Sequence, residues 1–145
     1  MKRFLLCAPL CLCLLLAGCS AASGGDLTIR VADLSGEVSF IDYSAGGTAM
    51  QVIARLDGDG NPKLSYNTCQ SCQGSPYAYF EVVSGALVCR NCGNRFGYDT
   101  IGEKRSGGCM PIAVEGYRVE EGQVTVPAEA LESMKSAFAN WKKGL

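Results

Sequence analysis

The chain reads Cys69-Gln70-Ser71-Cys72 and then, after sixteen intervening residues, Cys89-Arg90-Asn91-Cys92. A tetrahedral metal ion needs four sulfur ligands at about 2.3 Å. Two residues between cysteines allow a tight turn, or knuckle, that directs both sulfurs to one point, and two knuckles complete the tetrahedron. Spacing of this kind is typical of metal ribbons. The stretch therefore predicts a metal-binding insert with two cysteine knuckles.

The residues between the two pairs predict the hairpin that brings the knuckles together. Residues 77–83 and 86–88 are rich in aromatic and β-branched side chains, and Ser84-Gly85 between them is a turn sequence. Gly93, directly after the second pair, suits a backbone with positive φ. The alternative is that the cysteines form disulfides, within or between the pairs, or that one pair is a redox-active dithiol.

A fifth cysteine lies in the glycine-rich run Gly107-Gly108-Cys109-Met110-Pro111. The glycines allow a close approach of the backbone, and two neighbouring sulfur side chains form a soft ligand pair. Cys109 is therefore a candidate fifth thiolate, a replacement ligand or a resolving thiol. The alternative is a small buried apolar residue. Because five is an odd number, full disulfide pairing within the chain would leave one of these thiols over.

The N-terminus has the order of a secretory signal. Lys2 and Arg3 precede an apolar run that ends in Leu16-Ala17-Gly18-Cys19. These four residues resemble a bacterial lipobox, which implies that residues 1–18 are a signal peptide and that Cys19 carries lipid, including palmitate. Residues 19–26 then form the lipidated cysteine and a flexible tether, anchored on the extracytoplasmic face of the cell membrane. The alternative is a plain signal peptide with an incidental cysteine.

Composition excludes several classes of protein. The chain has no histidine, which removes Ser-His-Asp and Cys-His catalysis, two-histidine zinc sites and the usual blue-copper ligands. Its formal net charge of −1 gives no electrostatic basis for nucleic-acid binding. The sequence thus favours a redox or metal-handling protein over a hydrolytic enzyme, and any transition-metal site must use sulfur.

Hydrophobic periodicity predicts a single α+β domain over residues 27–145. Apolar alternation predicts short, mostly antiparallel strands within residues 27–66 and 112–126. Apolar side chains at helical spacing near the C-terminus predict one amphipathic helix that covers a face of the sheet. These side chains are Leu131, Met134, Phe138, Trp141 and Leu145. The predicted fold is a small antiparallel β domain with a metal-ribbon-like insert and a C-terminal helix.

The cysteine region resembles the FtrD-like family of membrane iron–sulfur proteins, formerly a domain of unknown function. The resemblance lies in Tyr66-Asn67-Thr68-Cys69-Gln70-Ser71-Cys72, Leu87-Val88-Cys89-Arg90-Asn91-Cys92-Gly93-Asn94-Arg95-Phe96, Ile101, Gly107-Gly108-Cys109 and Phe138-Ala139-Asn140-Trp141-Lys142. One departure is Met110, where the family usually has asparagine. The family also often occurs fused to a multi-span membrane region, so this chain resembles a stand-alone lipoprotein form.

The resemblance implies a metal site that uses all five cysteines, namely Cys69, Cys72, Cys89, Cys92 and Cys109. It implies an iron–sulfur cluster or iron as the cofactor, electron transfer or iron uptake as the function, and a membrane permease or redox protein as the partner. The spacing alone fits zinc, iron or a cluster. A structural zinc-knuckle binding domain and a thiol–disulfide redox protein therefore remain as alternative functions.

Overall fold

The computed structural model describes residues 22–143. The predicted signal peptide, residues 1–18, and the predicted lipidation site at Cys19 lie outside the described residues, as does Leu145 of the predicted helix. Within residues 22–143, no helix has both the length and the apolar character needed to cross a bilayer.

The described residues form eleven strands, two short α-helices and two 3-10 turns. The strands are β1 (Ala22–Ser23), β2 (Leu27–Arg30), β3 (Ser39–Ala45), β4 (Thr48–Leu56), β5 (Pro62–Cys69), β6 (Phe80–Val83), β7 (Ala86–Cys89), β8 (Arg95–Phe96), β9 (Pro111–Ala113), β10 (Arg118–Glu120) and β11 (Gln123–Val126). The helices are α1 (Ala128–Ser133) and α2 (Lys135–Phe138), and the 3-10 turns are Val31–Asp33 and Tyr98–Thr100.

The largest sheet has five strands in the order β1-β3-β4-β5-β9. β1 pairs with β3 in parallel, and the remaining pairs are antiparallel. Gly46 and Gly47 form the β3–β4 turn, where both glycines have positive φ. β1 is formed by Ala22 and Ser23 of the predicted tether, so this part of the tether is paired with the sheet. The expected antiparallel β architecture is confirmed.

Two smaller sheets complete the domain, with strand orders β10-β11-β2 and β6-β7-β8. The second contains the predicted hairpin, in which β6 and β7 are joined by Ser84 and Gly85, both at positive φ. Ser84 tolerates this conformation in a two-residue hairpin turn, where the favoured turns require it. The hairpin returns the chain so that Phe80 lies opposite Cys89, and it thereby sets the distance between the two cysteine pairs.

Buried apolar residues form two clusters. The main core contains Leu27, Ile29, Leu34, Tyr43, Ala45, Met50, Val52, Ala54, Leu64, Tyr66, Val114, Val124, Val126, Leu131, Ala137, Phe138 and Trp141. The site core contains Ile53, Cys69, Phe80, Leu87, Cys89 and Ile101. Full burial of a large apolar side chain stabilises the fold by about 1.5–3 kcal/mol, so the main core provides most of the stability and the smaller site core supports the cysteines.

The C-terminal segment differs from the single helix that the sequence predicts. The helix is interrupted at Met134, whose φ and ψ are −94° and 0°, and α2 ends at Phe138. Trp141 therefore lies beyond the helices, yet it is only 8% exposed. The backbone N–H of Trp141 donates to the carbonyl of Phe138, three residues earlier. The rings of Trp141 and Phe138 pack edge to face with centroids 5.4 Å apart. Burial of both aromatic rings thus outweighs continuation of a regular helix.

Candidate metal centre

Four of the five predicted cysteines converge at one place. The sulfur atoms of Cys69, Cys72, Cys92 and Cys109 all lie within 4.8 Å of one another. The group runs from a fully buried side to an exposed one, because Cys69 is buried, Cys72 and Cys109 are partly buried and Cys92 is exposed. The centre therefore lies at the edge of the site core, with one ligand candidate at the protein surface.

The first knuckle begins at the end of β5. The carbonyl of Cys69 accepts hydrogen bonds from the N–H groups of Cys72, at 3.1 Å, and Gln73, at 2.9 Å. The N–H groups of Ser71 and Cys72 also donate to the Cys69 sulfur. Such bonds favour the charged thiolate. The Cys-x-x-Cys turn thus has the local geometry that the spacing predicts.

The second pair behaves differently from the first. The carbonyl of Cys89 accepts the N–H of Gly93 at 2.8 Å, and Gly93 has the expected positive φ, +75°. This turn directs Cys92 towards the other sulfurs. Cys89 is 0% exposed in the site core and is not one of the four converging cysteines. The four-sulfur group therefore contains both cysteines of the first pair, one cysteine of the second pair, and Cys109.

Cys109 takes the fourth position because its loop binds the first knuckle. The hydroxyl of Ser71 donates to the carbonyl of Gly108 at 2.8 Å, and the N–H of Gln70 donates to the carbonyl of Met110 at 2.9 Å. Gly108 has a φ of +104°, which is accessible only to glycine at little cost. The Met110 side chain is buried. Its contact with the first knuckle is made by its backbone carbonyl.

The model of one protein family matches residues 34–138, and its description is membrane iron–sulfur containing protein, FtrD-like. The chain belongs to the FtrD-like family. The matched range includes all five cysteines and most of the described β domain. No curated protein matches the chain. The family is described as membrane-associated and iron–sulfur containing, which agrees with a cysteine group able to bind a metal.

The thiols of this FtrD-like centre differ in acidity. Burial raises the pKa of the Cys69 thiol, and the hydrogen bond with Cys72 raises it further. The pKa of the Cys109 thiol is lowered, chiefly by its hydrogen bond with Cys92, against the opposing effect of desolvation. Negative charge therefore forms on Cys109 before it forms on Cys69. A cation that binds all four sulfurs must displace the proton of Cys69, which couples binding to proton release.

The spacing of the sulfur atoms fits a single metal ion. A tetrahedral ion with sulfur ligands at about 2.3 Å has ligand–ligand separations of about 3.8 Å, and the sulfur atoms here lie within 4.8 Å of one another. In a multi-iron cluster the thiolates bind different irons, with bridging sulfides between them, and so must stand further apart. The four cysteines as placed suit a mononuclear metal–thiolate centre.

Two polar residues that support the centre carry no role in the sequence-based prediction. Ser71 joins the knuckle to the Cys109 loop, and the buried Asn67 joins β5 to β6. The Asn67 side chain accepts the N–H of Phe80 at 2.7 Å and donates to the Gln51 side chain at 2.7 Å. Both residues lie inside the motifs that resemble the family, but nothing in their type or spacing distinguishes them from other polar residues of the chain.

Proposed function

We propose that the chain binds one iron ion through the thiolates of Cys69, Cys72, Cys92 and Cys109, and that it transfers electrons or handles iron during uptake. The proposal includes lipid at Cys19 as an anchor on the extracytoplasmic face of a bacterial cell membrane. The convergence of four sulfurs within 4.8 Å carries it. The description of the family favours iron over zinc. A membrane permease or a redox protein is the proposed partner.

The buried and the exposed thiolates have different parts in this function. Iron held by four thiolates supplies a one-electron redox couple whose potential depends on hydrogen bonds to sulfur and on solvent exposure. Cys69 anchors the buried side, where the N–H groups of Ser71 and Cys72 stabilise its charge. Cys92 lies at the surface, so a redox partner can approach within contact of a ligand. Burial on one side and exposure on the other support a centre that exchanges electrons with a docked protein.

Metal analysis with visible absorption on anaerobically purified protein tests the proposal. We expect about one iron per chain, no acid-labile sulfide, and a thiolate-to-iron charge-transfer band. One zinc per chain without colour would indicate a structural zinc site in place of the iron centre. Four protein ligands are typical of structural zinc sites. Protein without metal and with oxidised thiols would leave the thiol–disulfide function.

Serine variants of two cysteines test which thiolates bind. Cys109→Ser is expected to lose the charge-transfer band or shift it strongly, because it replaces a ligand. Cys89→Ser is the matched control, since Cys89 is buried in the site core outside the four-sulfur group. It should lower stability while its loaded form keeps the band. The reverse pattern would show that the two Cys-x-x-Cys pairs bind the metal instead.

A further inference from the structure

The chain beyond α2, residues 140–143, crosses the loop that follows Cys72. The side-chain amide of Asn140 donates to the carbonyl of Gly74 at 3.1 Å, and the N–H of Lys142 donates to the carbonyl of Pro76 at 2.9 Å. Both acceptors are backbone atoms. Because they lie two and four residues after Cys72, these contacts fix the outgoing side of the first knuckle.

The same four residues also fix the incoming side of the knuckle. The indole N–H of Trp141 donates to the carbonyl of Asn67 at 3.0 Å, and this bond is buried. The ammonium of Lys143 donates to the Gln51 side chain at 2.8 Å, on the oxygen that also accepts from Asn67. Since Asn67 lies two residues before Cys69, the C-terminal residues bind the backbone on both sides of the first cysteine pair.

We propose that residues 140–143 act as a clamp that holds Cys69 and Cys72 in position for the metal ion, with Asn140 and Trp141 as positioning residues. The inference rests on the proposed metal-binding function, which it deepens. The family match ends at residue 138, whereas the sequence resemblance to the family extends through Lys142 and includes Asn140 and Trp141.

The knuckle loop gives a physical reason for such a clamp. Ser71, Gln73 and Gly74 are exposed, and Gly74 has a φ of +93°, so the loop has few packing contacts of its own to order it. If the loop became ordered only when metal binds, the free energy needed to order it would weaken the affinity for metal. A loop that is already ordered does not carry this cost at binding. Two hydrogen bonds from the clamp, to the carbonyls of Gly74 and Pro76, order this loop before the ion arrives, and the bond from Trp141 to Asn67 holds the strand that leads into it.

Cobalt(II) titration of the full chain, in competition with a chelator, tests the clamp. Asn140→Ala and Trp141→Phe each remove one donor, and loss of one net hydrogen bond corresponds to a rise in Kd of between about twofold and tenfold. The double variant should weaken binding more than either single change. Tyr117→Phe is the matched control, because the Tyr117 hydroxyl donates to the carbonyl of Pro62 at 2.9 Å, away from the cysteines, and its Kd should equal that of the wild type.

Amide hydrogen exchange in the metal-free protein provides the second readout. We expect faster exchange at the N–H groups of Cys72, Gln73 and Ser75 in both clamp variants, and no change there in Tyr117→Phe. Unchanged Kd and exchange in Asn140→Ala, whose side chain is exposed and whose folding is not at risk, would overturn the clamp alone. If the wild-type chain binds no cobalt, zinc or iron, the proposed function itself fails, and the clamp fails with it.

Discussion

Ser71 links parts of the centre that are distant in sequence. Its hydroxyl donates to the carbonyl of Gly108 at 2.8 Å. This bond holds the Cys109 loop against the first knuckle, together with the bond from Gln70 to Met110. The position of Cys109 as the fourth candidate ligand therefore depends on contacts between two segments that are distant in sequence.

Replacing Ser71 with alanine is expected to weaken metal binding. Loss of the hydrogen bond is expected to make the free energy of metal binding less favourable by about 0.5–1.5 kcal/mol, equivalent to a two- to tenfold rise in Kd. Competition with a chelator measures this change. Ser133→Ala is the control, because the Ser133 hydroxyl donates to the carbonyl of Ala130 within α1 at 2.7 Å. Equal Kd values for Ser71→Ala and the wild type would show that the Cys109 loop holds its position without this bond.

At the scale of residues, the sequence predicts which cysteines are candidates but not which four converge. Spacing identifies the pairs, and the glycine-rich context identifies Cys109. Cys89 lies opposite Phe80 in the β6–β7 hairpin, where its side chain is buried in the site core and outside the four-sulfur group. The site core also contains Ile53 and Ile101, which are remote in sequence, so no local pattern of residues predicts this burial.

At the scale of elements, the short helices are attached to the main sheet by an aromatic residue of β5. The hydroxyl of Tyr66 donates to the carbonyl of Ala130 in α1 at 3.0 Å, and its ring packs edge to face on Phe138 with centroids 6.5 Å apart. Burial raises the pKa of Tyr66 to about 12. Ionisation of this hydroxyl would place a charge between the helices and the sheet.

The raised pKa of Tyr66 predicts a specific loss of stability at alkaline pH. Because the pKa of Tyr66 in the folded protein, about 12, exceeds the ordinary tyrosine pKa of 10.0, the stabilising contribution is complete below pH 10 and is lost as the pH rises through 12. The free energy of unfolding in denaturant should therefore differ between the wild type and Tyr66→Phe at pH 8, and this difference should shrink as the pH is raised above 10. A difference that stays constant over this range would contradict the assignment.

The prediction of elements from sequence succeeds where turns are decisive and fails where packing is. The turn at Ser84-Gly85 is visible in the sequence because glycine suits positive φ. The prediction of a single C-terminal helix is wrong, because the helix is interrupted at Met134 and α2 ends at Phe138, and Trp141 beyond it bonds to Asn67. A helical spacing of apolar residues indicates which side chains are buried, and all three of Leu131, Phe138 and Trp141 are, but it does not fix the backbone between them.

At the scale of the whole molecule, the metal centre and the main core are separate. The main core contains none of the five cysteines, whereas the site core contains Cys69 and Cys89 and packs against Cys72 and Cys109. Loss of the metal therefore affects the smaller of the two clusters directly. We therefore expect the domain to fold without the ion, unlike small zinc domains, which are unfolded without theirs.

Chelation is thus expected to loosen the site and leave the domain folded. Metal-free protein should retain its strand signal in far-ultraviolet circular dichroism and a single cooperative unfolding transition at a lower midpoint. Amide exchange should rise mainly in residues 70–75, 90–93 and 106–109. Complete unfolding on addition of chelator would contradict the independence of the main core.

X-ray absorption at the iron edge tests the central claim most directly, because it reports the atoms around the metal in the anaerobically purified protein. We expect one shell of four sulfurs at about 2.3 Å, the length of tetrahedral metal–thiolate bonds, without a second iron nearby. Iron–iron scattering together with bridging sulfide would contradict it, since a cluster requires the four thiolates to stand further apart than the 4.8 Å within which they lie.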